Sequence, residues 1–319
     1  EIPLKYQELI ERCWSPDPSS RPTFNEIVNE LKTNEEYMTD DLNKEEVQKY
    51  IDMINKSEVS FNTSNKINQL DEYVRFKISK FKCLETKVNR RSVWETESNN
   101  ISFNLDSINV RKFEKQKLIQ KENNFKYHQI RDTKTNKIYI SKQTGKKGDS
   151  VDQLFSEIEK ISRIHHPSIL KFIGYSSEDF KNRKFPVMIS ENASNGTLDR
   201  IFQFENFHET DSIIDETKKL IILYGIAAGM ATLHSYGIAH GNLNPTNIFL
   251  DDFLFAKISG FEKSKKKTLN SPFKEGLASS LAISLFFKLD EQKRYKSPES
   301  LLTTKIHPVY DVYSYAMIA

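Results

Sequence analysis

Hydrophobic spacing divides this chain into three differently patterned stretches. Near the start, Phe24, Ile27, Val28 and Leu31 recur at i, i+3, i+4 and i+7, which lines one face of a helix. Thr23 with Glu26 three positions on has the form of a capping box and sets where that helix begins. The string CWSPDPSSRPTF separates it from an earlier short helix, and the two together, residues 1–36, are too short to bury their stripes alone. Residues 37–108 turn to Asn, Ser, Lys and Glu, the composition of a linker with local helices. There Val47, Tyr50, Ile51 and Ile54 form a helical stripe, whereas Tyr73 to Phe81 fits a strand (Val74, Phe76, Ile78) or a helix (Ile67, Leu70, Val74, Ile78) equally well. From about residue 109 strands are expected at Lys112 to Gln120, Phe125 to Arg131 and Lys137 to Lys142, then a helix from near Asp152. Strands followed by helices predict an α+β domain. The run Leu220 to Leu233, broken by Gly225, Gly229 and Thr232, is shorter than the roughly 18–20 residues of a membrane span and predicts a buried helix.

Composition narrows the choice of partners. At 319 residues and 37% hydrophobic content the chain has room for one large domain or two smaller ones. A net charge of +3 with 29% charged residues gives no field that favours nucleic acid or a membrane surface. Cys13 and Cys83 are too few for a disulfide framework and fit reduced thiols in the cytoplasm. The run KSKKK, Lys263 to Lys267, reads as a solvated loop, with contact to an acidic partner or phosphopeptide as the alternative. Glu at residue 1 and the apolar close YDVYSYAMIA suggest an excerpt that stops within a helix.

One set of strings carries more than periodicity. IYISK, HHPSILKFIGY, FPVMISENASNGTL, HGNLNPTNIFL, SGFE and SPE follow one another between residues 138 and 299. In that order they resemble the eukaryotic protein-kinase superfamily, and IILYGIAAGMATLHS is nearest in style to Ser/Thr kinases of the tyrosine-kinase-like group. The resemblance implies an α+β bilobal fold over 109–319, with a small lobe at 109–193 and a partial large lobe at 194–319. It implies that Lys142 is the phosphate-contacting lysine, Glu157 its helix partner, Ser190 the gatekeeper, and Glu191 and Ala193 hinge positions beside a nucleotide. His240, Asn242, Asn244 and Asn247 would form the catalytic loop, with Asn247 a metal ligand. Ile161, Phe172, His240 and Phe261 would form an apolar column, Asp311 would be the central-helix acid, and Glu299 the acid of the Ala-Pro-Glu motif. Residues 1–36 resemble the last helices of another such large lobe, Arg21 being the arginine that pairs with the Ala-Pro-Glu acid of that lobe. A tandem arrangement is then expected: the tail of a first kinase-like domain whose body is absent from the chain, a linker, and a second domain.

Chemistry departs from the family where the fold does not. Asn242 stands where the family has the Asp that accepts the substrate proton, and an amide has no basic lone pair at neutral pH. Gly260 replaces the metal-binding Asp, Gly241 the Arg of the loop, and Asn244 its Lys. The turn IQKENNFKYHQI contains none of the glycines that let backbone amides approach phosphates, and it places Glu122 there instead. Ile140 and Phe249 add bulk at the adenine positions. Losing the base alone costs on the order of 10²–10⁴ in rate. The expected function is therefore a pseudokinase: a scaffold or allosteric regulator with no cofactor, whose partners are proteins, including an active kinase domain in cis or trans. A divergent Ser/Thr kinase, binding ATP and Mg through Lys142, Glu157, Asn247 and Glu262, is the enzymatic alternative, and a truncated product without function is a third.

Overall fold

The computed structural model describes residues 3–62, 107–122, 124–145, 148–207, 214–266, 294–303 and 306–319. The ambiguous stretch Tyr73 to Phe81, Cys83 and Lys267 lie outside the described residues. The chain forms two compact units: one gathers residues 1–57, 164–171 and 191–319, the other 58–163 and 172–190.

The strand unit holds the expected α+β pattern. Strands β1 (Phe113–Glu122), β2 (Phe125–Asp132), β3 (Ile138–Thr144), β4 (Phe172–Ser176) and β5 (Val187–Glu191) form one sheet in the order β1-β2-β3-β5-β4. The first two hairpins are antiparallel, with Glu122 opposite Phe125 and Ile130 opposite Tyr139. Alternate side chains meet beneath the sheet, where Phe113, Ile130, Val187 and Ile189 form a core flanked by Ile108, Tyr139, Ile173 and Phe180. The β2–β3 turn is tied by Asp132, whose carboxylate accepts from the amides of Lys134 and Thr135 at 2.9 and 3.0 Å. Helix α4 (Asp149–Ile161) buries Leu154, Glu157, Ile158 and Ile161 on one face.

The helical unit is built around α6 (Glu216–Ser235), which is buried on nearly every side, as the long apolar run predicts. Asp215 caps it by accepting from Lys218 N–H at 2.7 Å. Helices α1 (Leu4–Cys13) and α2 (Phe24–Thr33) form as expected, and both hydrogen bonds of the Thr23–Glu26 capping box are present. α3 (Lys44–Asn62) carries the Val47, Tyr50, Ile51, Ile54 stripe, all buried. The remaining elements are β6 (Gly196–Thr197), α5 (Leu198–Phe207), β7 (Ile238–Ala239), β8 (Ile248–Leu250), β9 (Ala256–Ile258), β10 (Lys265–Lys266), α7 (Pro298–Leu301) and α8 (Pro308–Ala316). β6, β8 and β9 make a three-stranded sheet, and β7 pairs with β10.

The partner of Arg21 lies in this same chain. Arg21 donates from Nη1 to Glu299 at 2.5 Å and to Val309 O at 3.2 Å, from Nη2 to Glu299 at 3.2 Å, and from Nε to Ser15 O at 3.0 Å. Phe24 of α2 meets the rings of His234 and Tyr315 edge-on at 5.1 and 5.5 Å. The apolar faces of α6 and α8 thus receive the stripe that two short helices cannot bury by themselves.

One buried histidine sets an acid limit on this unit. His166 accepts from Ser168 N–H at 3.0 Å, and burial, assisted by the nearby Lys257 charge, pushes its pKa from 6.5 down to about 4. A folded-state pKa below the unfolded one means the stabilisation is whole above about pH 6.5 and disappears as pH falls towards 4. The loss should reach about 3 kcal/mol. Urea midpoints of His166→Gln from pH 7 to 4.5 should fall less steeply than those of the parent; equal slopes would remove His166 from the account. Among the described residues no helix is long and apolar enough to cross a membrane.

Candidate functional site

The loop between β7 and β8 is held from three directions. Asp311 on α8 accepts the amides of His240 and Gly241, each at 2.8 Å, and contacts His234 Nε2 at 2.9 Å. His240 is fully buried, with its pKa lowered by that burial, so the ring is neutral. Its Nε2–H donates to Ser259 O at 2.8 Å, its Nδ1 accepts from Asn242 N–H at 3.1 Å, and Phe261 lies 4.9 Å from it. Asn244 caps the turn Pro245–Asn247 by accepting from Thr246 N–H at 3.0 Å. The sequence-derived residues His240, Asn242, Asn244, Asn247, Gly260, Phe261 and Asp311 therefore gather in one place.

Within that loop the amides face one another. Asn244 Nδ2 and Asn247 Nδ2 both donate to Asn242 O, at 2.8 and 2.9 Å. Asn247 Oδ1 and Asn242 Nδ2 are buried and find no hydrogen-bond partner among the described residues. Gly260 has φ +80° and ψ 40°, and a Cβ added there would run into the Asn247 carboxamide. Asn247 thus fills the space in front of residue 260. Gly241, at φ +69°, is equally constrained, because a Cβ would stand 2.7 Å from Ile306 Cδ1.

Lys263 departs from the expected solvated run. It is half-buried, and its Nζ donates to Asn242 Oδ1 at 3.4 Å. The turn Phe261–Lys263 and the pairing of β10 with β7 bring the start of the lysine run back beside the loop. A charge run gives no sign of such a return, so spacing alone could not single this lysine out.

In the strand unit Lys142 and Glu157 form a 2.6 Å ion pair with both side chains only 1% exposed. The Lys142 Nζ also sits 4.6 Å from the Phe125 ring centre and 5.2 Å from that of Tyr127. These two rings, which site reasoning overlooked, occupy alternate positions at the start of β2, directly after the glycine-free turn, and that alternation is the signal that would have found them. Glu122 is buried and accepts from Gln120 Nε2 at 3.1 Å. Ile140 is buried in β3 and Phe249 in β8, each as a packed core residue of its own unit. Of the hinge positions, Ala193 is buried, while Glu191 accepts from Lys171 N–H at 3.0 Å and lies 3.4 Å from Lys257.

In sequence the chain is similar to several known protein kinases. The chain is 22% identical over 318 residues to the Dual specificity protein kinase pyk3 of Dictyostelium discoideum, covering 99% of the chain and 19% of that protein. It is 30% identical over 173 residues to Wall-associated receptor kinase 3 of Arabidopsis thaliana, 53% of the chain and 21% of that protein. Cysteine-rich receptor-like protein kinase 42 of the same plant is 27% identical over 175 residues, 53% of the chain and 24% of that protein. The chain spans about a fifth to a quarter of the length of these relatives. The protein kinase domain matches residues 124–319, and with the loop, the buried lysine–glutamate pair and the five-stranded sheet in place, the chain belongs to the protein kinase superfamily.

Proposed function

We propose that residues 109–319 act as a pseudokinase in signalling, a cytoplasmic scaffold or allosteric regulator of protein partners, an active kinase domain among them, with little or no phosphoryl transfer. The observation that carries this reading is the closed contact between Asn247 and Gly260: the remaining amide of the metal site is turned onto Asn242 O and into the space of the absent carboxylate. Magnesium needs several oxygen ligands in near-octahedral array, and a glycine beside an inward-turned amide does not fit it. Asn242 supplies no base, and the Lys142 side chain, 1% exposed, is covered by the Phe125 and Tyr127 rings. Residues 1–36 fit in sequence the tail of a first kinase-like domain in a tandem protein, although here Arg21 pairs with Glu299 and the two helices pack in the unit that holds residues 191–319.

Thermal unfolding of the full chain with ATP, with and without magnesium, tests the reading. A ligand at a hundred times its Kd adds about 2.7 kcal/mol to a native state that alone binds it. The expected result is no magnesium-dependent shift, either in the parent or in Gly260→Asp, because the new side chain meets Asn247. A magnesium-dependent shift in the parent would overturn the reading in favour of a divergent kinase that uses Lys142, Glu157, Asn247 and Glu262.

A further inference from the structure

Helix α3 lies outside the matched kinase domain, yet as far as Ser57 it belongs to the helical unit. Asn43, just before it, donates its amide to Thr217 Oγ1 at 2.9 Å, and Glu46 pairs with Lys218. One turn further, Tyr50 reaches inward until its hydroxyl lies 3.1 Å from Ser168 Oγ. Its ring stands 4.5 Å from that of Phe255 and 6.2 Å from that of Tyr224. Beneath the hydroxyl is Gly225, in the middle of α6. A Cβ on Gly225 would collide with Tyr50 Oη and stand 3.3 Å from Tyr50 Cζ. Glycine inside a helix is less favourable than alanine, so an α6 with nothing against this face would be better served by alanine.

We propose that the face of α6 centred on Gly225 is a docking surface for α3, keyed by the Tyr50 hydroxyl in a notch that only glycine leaves open. The occupant is this chain's own linker helix, matched by its buried stripe Val47, Tyr50, Ile51 and Ile54 and by the polar clasps at Asn43 and Glu46. The surface thereby anchors the start of the connecting segment to the large-lobe unit.

The sign of one substitution decides the matter. In the full chain, Gly225→Ala should lower the unfolding midpoint and speed trypsin cleavage at Lys49 and Lys56 roughly tenfold, because the seated tyrosine is expelled and α3 opens. Adding Tyr50→Phe should recover most of both, since the colliding oxygen is gone and only the contacts at 3.3 Å, to Cζ and to Ser168 Oγ, remain. If Gly225→Ala instead raises the midpoint with cleavage unchanged, alanine is acting in an uncovered helix and the docking surface does not exist. A Gly225→Ala chain that fails to fold, and is not recovered by Tyr50→Phe, would remove Tyr50 as the key. Protection of Lys49 and Lys56 that depends on chain concentration would place α3 on a second copy and overturn the assignment within one chain.

Discussion

Arg21→Ala is expected to destabilise the full chain by about 3–5 kcal/mol, the range for removing one partner of a buried, hydrogen-bonded ion pair. The Arg21 side chain is 1% exposed and serves three separate segments at once: Glu299, the carbonyl of Val309 and the carbonyl of Ser15. Its guanidinium also lies 5.1 Å from the centre of the Tyr313 ring. Deletion strands two carbonyls and a carboxylate that the fold has largely withdrawn from water. Arg21→Lys keeps the charge but not the planar fork, so it should fall between parent and alanine. Urea unfolding of the three chains gives the order directly. An alanine variant within about 0.5 kcal/mol of the parent, the scale of an ordinary surface change, would mean that α1 and α2 do not close this lobe.

An effect of similar size is expected in the strand unit from Lys142→Ala. Glu157, 1% exposed, would be left charged without its partner, and the cation over Phe125 and Tyr127 would be lost. A loss of about 3–5 kcal/mol follows. Replacing both members by apolar side chains of similar volume, Lys142→Met with Glu157→Leu, removes the stranded charge and should recover most of it. The comparison bears on enzymology too. A Lys142→Ala chain inactive in phosphate transfer could be inactive because its small lobe has loosened, so the doubly substituted chain is the proper control. If the single variant unfolds at the parent's urea concentration, the pair is not buried as described and Lys142 is available to a nucleotide.

What the sequence revealed, and what it hid, follows the range of each interaction. The strands of β1 to β3, the capping box of α2 and the all-round burial of α6 are written in spacings of two to four residues, and each forms within a residue or two of where the pattern puts it. The catalytic-loop residues assemble because motif order places them even where their residue types depart from the family's. Arg21 was legible as an arginine in search of an acid, but not that Glu299 would answer from 278 residues away, since no local period marks such a pair. Phe125 and Tyr127 read as strand residues, and only the short distance to Lys142 turns them into its cover. Lys263 was hidden inside a charge run. The inward turn of Asn247 is a side-chain choice that spacing does not encode.

The contact of Asn247 with Gly260 also couples two positions that are separate in sequence. With no side chain at 260, the neighbouring amide has room to settle, and a buried bond to Asn242 O holds it there. An acid placed at 260 alone would meet that amide before it could meet a metal, and a side chain placed at 241 would meet Ile306 in the same way. Each glycine and its neighbour can therefore be exchanged only together, so redesign of this loop is a matter of double substitutions.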